Sequence, residues 1–129
     1  MSDTLLIIED NDQNLYLMRF LLEKSGFSVI DSANGPDGIE MAAAERPRAI
    51  LLDIQLPGMD GYEIAARLKC FPETASIPIM AVTSYAMAGD RERILAAGAD
   101  GYMEKPIDPD TFVGEISRFL NGETSRGQE

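Results

Sequence analysis

Four short stretches of this chain hold residues able to do chemistry: Glu9-Asp10, Asp53, Thr83-Ser84 and Glu104-Lys105-Pro106. Each follows an apolar run, respectively LLII, AILL, IMAV and GYM. A carboxylate at the edge of a buried run loses hydration, so it must be compensated or used. Taken singly, these residues have commoner roles: Glu9, Asp10 or Asn11 as a helix cap, Asp53 as a turn acceptor, Lys105 as a solvated surface group. Gathered on one rim they form a different object, because Glu9, Asp10 and Asp53 would repel one another and drive carboxylate pKa values upward. A divalent cation resolves that conflict, and Mg²⁺ favours a few carboxylates, a carbonyl and several retained waters. Phosphate is the natural companion of such an ion, with Lys105 and the Thr83 hydroxyl holding the phosphoryl oxygens that the metal does not. Asp53, between metal and lysine, is then the nucleophile, since carboxylates attack phosphorus to form aspartyl phosphates.

What the chain lacks narrows the chemistry further. There is no histidine, which removes phosphohistidine chemistry on this chain, Ser-His-Asp catalysis and imidazole metal sites together. Any metal must be a hard one held by oxygen. The formal net charge of −11 opposes nucleic-acid binding, whose affinity comes largely from lysine and arginine displacing counterions. One cysteine, Cys70, forms no internal disulfide and reads as a packing or surface thiol. The opening MSDTLLIIED has neither the basic segment nor the long apolar region of a signal peptide, and no stretch is long enough to span a bilayer. A cytoplasmic protein without membrane partners is expected.

The elements that must position these residues are legible as an alternation. At 129 residues the chain suits one domain, expected over 1–122, with the polar NGETSRGQE run fraying into a flexible tail over 123–129. Apolar runs at 5–8, 29–30, 49–52, 78–82 and 101–103 predict five strands, the second the weakest. Between them lie stretches with helical spacing, which is the βα pattern of a parallel sheet. The runs LLII and AILL do not alternate apolar with polar, so helices are expected on both faces, giving a doubly wound α/β fold. Leu15, Met18 and Leu22 form the stripe of a first helix ended by Ser25-Gly26. Further helices are expected over 35–44, 62–69 and 87–96, the last stopped by Gly98. Phe112, Val113, Ile116, Phe119 and Leu120 mark a final helix, with Asp108 as its expected N-cap and Pro109 at its first position. In such a sheet ligands bind beyond the carboxyl ends of the strands, where the chemistry-bearing residues fall.

The stretches IIEDN, LLDIQLPGMDG, VTSYA and YMEKPID, in this order and spacing, closely resemble the receiver domain of two-component response regulators. The resemblance covers the chain roughly from Thr4 to Leu120. EDNDQN together with TSYAMAGDRERILAAGADGYMEKPI is most similar to single-domain regulators of the DivK type and to receivers of hybrid histidine kinases. It implies a flavodoxin-like (βα)₅ fold with strand order 2-1-3-4-5. It further implies Asp53 as phosphoacceptor and direct Mg²⁺ ligation by Asp10, Asp53 and the Gln55 backbone carbonyl, with Glu9 acting through bound water. Thr83 and Lys105 would contact the phosphoryl group, the Lys105-Pro106 bond would be cis, and Tyr102 would be an aromatic switch coupled to Thr83.

The same resemblance implies a signalling switch of a two-component phosphorelay. It would accept a phosphoryl group from a histidine kinase or histidine phosphotransfer protein, and catalyse its own phosphorylation and dephosphorylation. It would signal through the surface of the fourth helix, fifth strand and fifth helix. Asn14, Leu15 and Met18 are the residues expected to dock a donor helix. Phosphorylation adds charge and acceptors at the rim and biases an existing equilibrium between two arrangements. Two other readings compete: a Mg²⁺-dependent phosphatase, and a receiver-like module that only binds. A phosphatase of the haloacid-dehalogenase type resembles this site but places a titrating aspartate two residues after the nucleophile. Gln55 stands there, and an amide does not titrate usefully. Ser84 departs from the small apolar residue common after the switch threonine, and Tyr85 is expected to shape water access beside Gln55. Tyr102, Met80, Met87 and Met103 also have an ordinary reading as packing residues, and Asp90 to Arg93 as a solvated helix face.

Overall fold

The computed structural model describes residues 3–56, 58–84 and 89–122. Five strands alternate with five helices: β1 (Thr4–Ile8), α1 (Asp12–Lys24), β2 (Ser28–Ser32), α2 (Gly35–Glu45), β3 (Ala49–Asp53), α3 (Gly61–Cys70), β4 (Ile79–Thr83), α4 (Asp90–Ala97), β5 (Gly101–Glu104) and α5 (Phe112–Leu120). The strands form one parallel sheet in the order β2-β1-β3-β4-β5. Both the doubly wound architecture and the strand order agree with expectation.

Strand periodicity sorts the apolar residues into two cores. Successive side chains point to opposite faces. Leu5 and Ile7 of β1, Leu51 of β3 and Met80 and Val82 of β4 pack with Met18 and Leu22 of α1 and Phe112, Ile116 and Phe119 of α5. Their neighbours Leu6, Ile8, Ile50, Leu52, Ile79 and Ala81 pack on the other face with Ala42 of α2, Ile64 and Leu68 of α3 and Ile94 of α4. A strand buried on both faces has no place for a polar residue in its interior. Polar side chains are therefore confined to the strand ends, and at the carboxyl ends Glu9, just beyond β1, Asp53 of β3 and Thr83 of β4 stand still buried.

Two boundaries differ from expectation for identifiable reasons. β2 extends through the polar pair Asp31 and Ser32, which no apolar pattern marks. It is an edge strand, and Asp31 is ion-paired with Arg19 of α1 while the Ser32 hydroxyl donates to the Asn34 carbonyl. Regular α5 begins at Phe112, after the expected start at Pro109. The Asp108 carboxylate accepts from the Asp110 amide at 2.9 Å and its carbonyl from Thr111 and Phe112, so the chain enters the helix through a turn. α4 is regular from Asp90 to its Gly98 stop, whereas the expected start at Met87, Tyr85 beside Gln55 and the 123–129 tail lie outside the described residues.

Side-chain caps fix the other helix starts. Asn11, Asn34 and Asp60 each accept from the backbone N–H three residues on, at 2.9 Å. The start of α3 also requires a glycine, because a Cβ on Gly61 would lie 2.5 Å from the Ile54 Cα. That close approach folds the loop after β3 back over the strand end and holds Asp53 at the rim.

Candidate active site

At the carboxyl edge, β1 and β3 are neighbours, as are β3 and β4, and β4 and β5. Glu9, just beyond β1, is 1% exposed; Asp53, the last residue of β3, is 3% exposed; Thr83, the last of β4, is 2% exposed. Asp10 follows Glu9 and faces solvent. Glu9, Asp10 and Asp53 each offer a carboxylate oxygen within 4.8 Å of the other two. From beyond β5, the Lys105 Nζ reaches in to 3.3 Å from Asp53 Oδ1 and 3.3 Å from Glu9 Oε1. The Lys105-Pro106 peptide is cis, as expected from the resemblance.

The electrostatics are those of charge held out of water. Burial, then a hydrogen bond and the like charge of Asp53, push the Glu9 carboxyl up to about 7 from its ordinary value of 4.5, with Lys105 opposing. Glu9 Oε2 accepts from the Asn11 amide at 3.2 Å. Its Oε1 is fully buried and, among the described residues, is ion-paired with the Lys105 ammonium at 3.3 Å but finds no aligned hydrogen-bond donor. A buried acceptor left in that state is costly unless something else satisfies it. Three oxygen donors of this hardness, one of them exposed and one buried without an aligned hydrogen-bond donor, fit a small divalent cation that keeps part of its water. Soft metals are poorly served, since the donor set has neither imidazole nor thiolate.

Gln55 contributes more than the sequence suggests. Its backbone N–H donates to Asp53 Oδ1 at 2.9 Å, which fixes the orientation of that carboxylate. Its carboxamide crosses to β4, donating from Nε2 to Thr83 Oγ1 at 2.7 Å and accepting at Oε1 from the Ser84 amide at 3.1 Å. These partners are 28 and 29 residues away in sequence. Only the β3–β4 pairing brings them together, so no local signal identified the side chain.

Tyr102 lies apart from the acidic cluster. Its Cα pairs with that of Ala81, two residues before Thr83, and its ring packs on the core shared by α2, α3 and α4. Period-two alternation sets Tyr102 and Thr83 on the same face of adjacent strands. The Arg91 guanidinium of α4 sits 5.8 Å from the centre of the Tyr102 ring. Met80 and Met103 are buried, in keeping with a packing role. Of the docking residues expected on α1, Met18 is buried and Asn14 and Leu15 are half-buried. The large exposed apolar side chains of that helix are instead Tyr16 and Phe20, stacked with ring centres 6.1 Å apart. Cys70 is an exposed free thiol.

Comparison with known proteins places this site in context. Residues 5–117 match the response regulator receiver domain. The chain is 42% identical over 120 residues to the polar-differentiation response regulator DivK of Brucella anthropi, covering 93% of this chain and 98% of that protein. Among solved structures, it is similar to a putative response regulator from Chloroflexus aurantiacus, with a TM-score of 0.88 at 29% identity over 94% of this chain and 99% of the other. It is also similar to the receiver domain of a sensor histidine kinase from Pseudomonas aeruginosa, with a TM-score of 0.82 at 32% identity over 95% and 97% of the two chains. That receiver carries a magnesium ion coordinated in its active site cleft.

Proposed function

Since the chain belongs to the response regulator receiver domain family, we propose that residues 1–122 act as a phosphorylation-dependent switch in a two-component phosphorelay, with Asp53 as phosphoacceptor. The observation that carries this reading is the buried Asp53 carboxylate, 3.3 Å from Lys105 and clustered with Glu9 and Asp10. In the reaction, an Asp53 oxygen forms a bond to phosphorus as the bond from phosphorus to the donor imidazole breaks. The donor nitrogen leaves with the electron pair. Lys105 neutralises charge on the phosphoryl oxygens and the Thr83 hydroxyl donates to one of them. Asp10, Asp53 and the Gln55 carbonyl, with Glu9 acting through water, would hold a Mg²⁺ ion, which would supply charge stabilisation for the incoming phosphoryl group.

The donor is a histidine kinase or histidine phosphotransfer protein, and cytoplasmic histidine kinase domains make the cytoplasm its place of action. Among the described residues no helix is long and apolar enough to cross a membrane. Once Asp53 is modified, Thr83 moves toward the phosphoryl group and Tyr102, on the same sheet face, turns into the space released. The output then passes to a downstream protein through the α4-β5-α5 surface, where Arg91, Tyr102, Glu104, Asp108 and Phe112 line a cleft. Turnover as a phosphatase is disfavoured because Gln55, two residues after Asp53, is an amide engaged with Thr83 and has no proton to exchange usefully.

Intact mass after incubation with acetyl phosphate tests the assignment. The native protein is expected to gain one phosphoryl group only with Mg²⁺, and Asp53→Asn to gain none. No gain in the native protein once metal binding is verified would overturn self-catalysed phosphorylation and leave a module that only binds.

A further inference from the structure

The Gln55 carboxamide bridges the carboxyl ends of β3 and β4. One residue contacts the proposed phosphoacceptor through its backbone N–H and the proposed switch threonine through its side chain. The carboxamide bonds are complementary: the amide N–H₂ donates to Thr83 and the amide oxygen accepts from Ser84. Thr83 is 2% exposed, so few solvent molecules compete for its hydroxyl. The contact is therefore a two-point clasp between the segment after β3 and the last residues of β4.

We propose that Gln55 is a positioning residue whose carboxamide clasps Thr83 and Ser84 in the unphosphorylated protein and biases the switch toward its resting arrangement. This rests on the phosphorylation reading for its purpose, though the clasp itself exists without phosphate. A hydroxyl accepting from Gln55 Nε2 keeps its own proton for donation. Movement of Thr83 toward a phosphoryl oxygen therefore requires the bond from Gln55 Nε2 to break. Asp53 and Thr83 are coupled through one residue, because Asp53 accepts from the Gln55 backbone N–H while Thr83 accepts from its carboxamide.

The test uses the full chain without any phosphate donor. Gln55→Met keeps length and removes both side-chain bonds; Gln55→Glu keeps an acceptor for the Ser84 N–H but cannot donate to Thr83. Amide hydrogen exchange at Ser84 and the methyl resonance of Thr83 are read by NMR, with thermal unfolding as a control. Gln55→Met is expected to speed Ser84 exchange about 5- to 10-fold, the effect of losing one hydrogen bond of ordinary net strength, and to move the Thr83 methyl signal. Gln55→Glu is expected to restore Ser84 protection while the Thr83 signal stays displaced, a separation that general loosening would not produce. Unchanged Ser84 exchange and Thr83 signal in Gln55→Met would overturn the clasp. So would equal loosening in both variants in proportion to a lowered unfolding midpoint. Failure of phosphorylation would instead appear as an unchanged mass of the native protein with acetyl phosphate and Mg²⁺, leaving the exchange result to judge the clasp by itself.

Discussion

The residue that most clearly registers the conflict in the site is Glu9. Its folded pKa of about 7 stands above the ordinary 4.5, so the folded state binds the Glu9 proton more tightly than the unfolded state. The contribution to stability is then fully present below pH 4.5 and is lost as pH rises through about 7. In metal-free buffer, Glu9→Gln is expected to gain stability relative to the native protein between pH 5 and pH 8, as checked by urea unfolding at each pH. A native-minus-mutant difference independent of pH would contradict the shift. Asp53 is among the causes of that shift, and a carboxamide in its place carries no charge to repel Glu9. Asp53→Asn should accordingly unfold later than the native protein at pH 8 without metal, by on the order of 1 kcal/mol, while losing all phosphoryl gain. Lys105 was visible in the sequence as the cation at the fifth strand end. Its simultaneous approach to Glu9 and Asp53 was not, because β1, β3 and β5 are joined only through the sheet.

Among the elements, the opposite end of the sheet shows how the scaffold keeps the rim in register. Lys69, near the end of α3, donates to the carbonyls of Ala75 and Ile77 and to Asp100, and Asp100 also accepts from the Ile79 amide. A single ammonium thereby ties α3, the loop before β4 and the loop before β5. Lys69→Met leaves these acceptors to find other partners and is expected to cost about 1–3 kcal/mol by urea unfolding, yet to retain the mass gain with acetyl phosphate, since its contacts are remote from Asp53. At the site end, Gly61→Ala forces a Cβ against the Ile54 backbone and is expected to cost about 1–3 kcal/mol. It should also slow phosphorylation, because that loop sets the Gln55 amide against Asp53. The apolar pattern identified every strand but shortened β2, whose polar end is stabilised by tertiary pairing of Asp31 with Arg19. It likewise set the start of α5 too early, because proline after Asp108 is equally compatible with the turn that forms there.

For the whole molecule, the excess of acid matters more than any single pair. A net charge of −11 repels itself in the compact state, and salt screens that repulsion. Raising NaCl from about 10 mM to about 300 mM, across which the Debye length shortens several-fold, is expected to raise the thermal midpoint. Mg²⁺ should add a saturable increment beyond NaCl of matched ionic strength, because a ligand that binds only the folded state stabilises it by mass action. That increment should shrink in Asp53→Asn, and calorimetric scans of the two proteins would show it.

Amino-acid order alone determined the alternation of strands and helices, the burial of strands on both faces and the placement of acids, threonine and lysine at strand ends. These follow from local periodicity and from the rule that a doubly buried strand carries polar groups only where it stops. Membership in the receiver family was legible for the same reason, since its motifs are the strand ends themselves. Tertiary structure decided what those residues do to one another. The raised Glu9 carboxyl, the shared Lys105, the Gln55 carboxamide on Thr83 and the common face of Thr83 and Tyr102 all depend on which strands become neighbours. Desolvation and hydrogen-bond geometry act through space, and neither is written into the spacing along the chain.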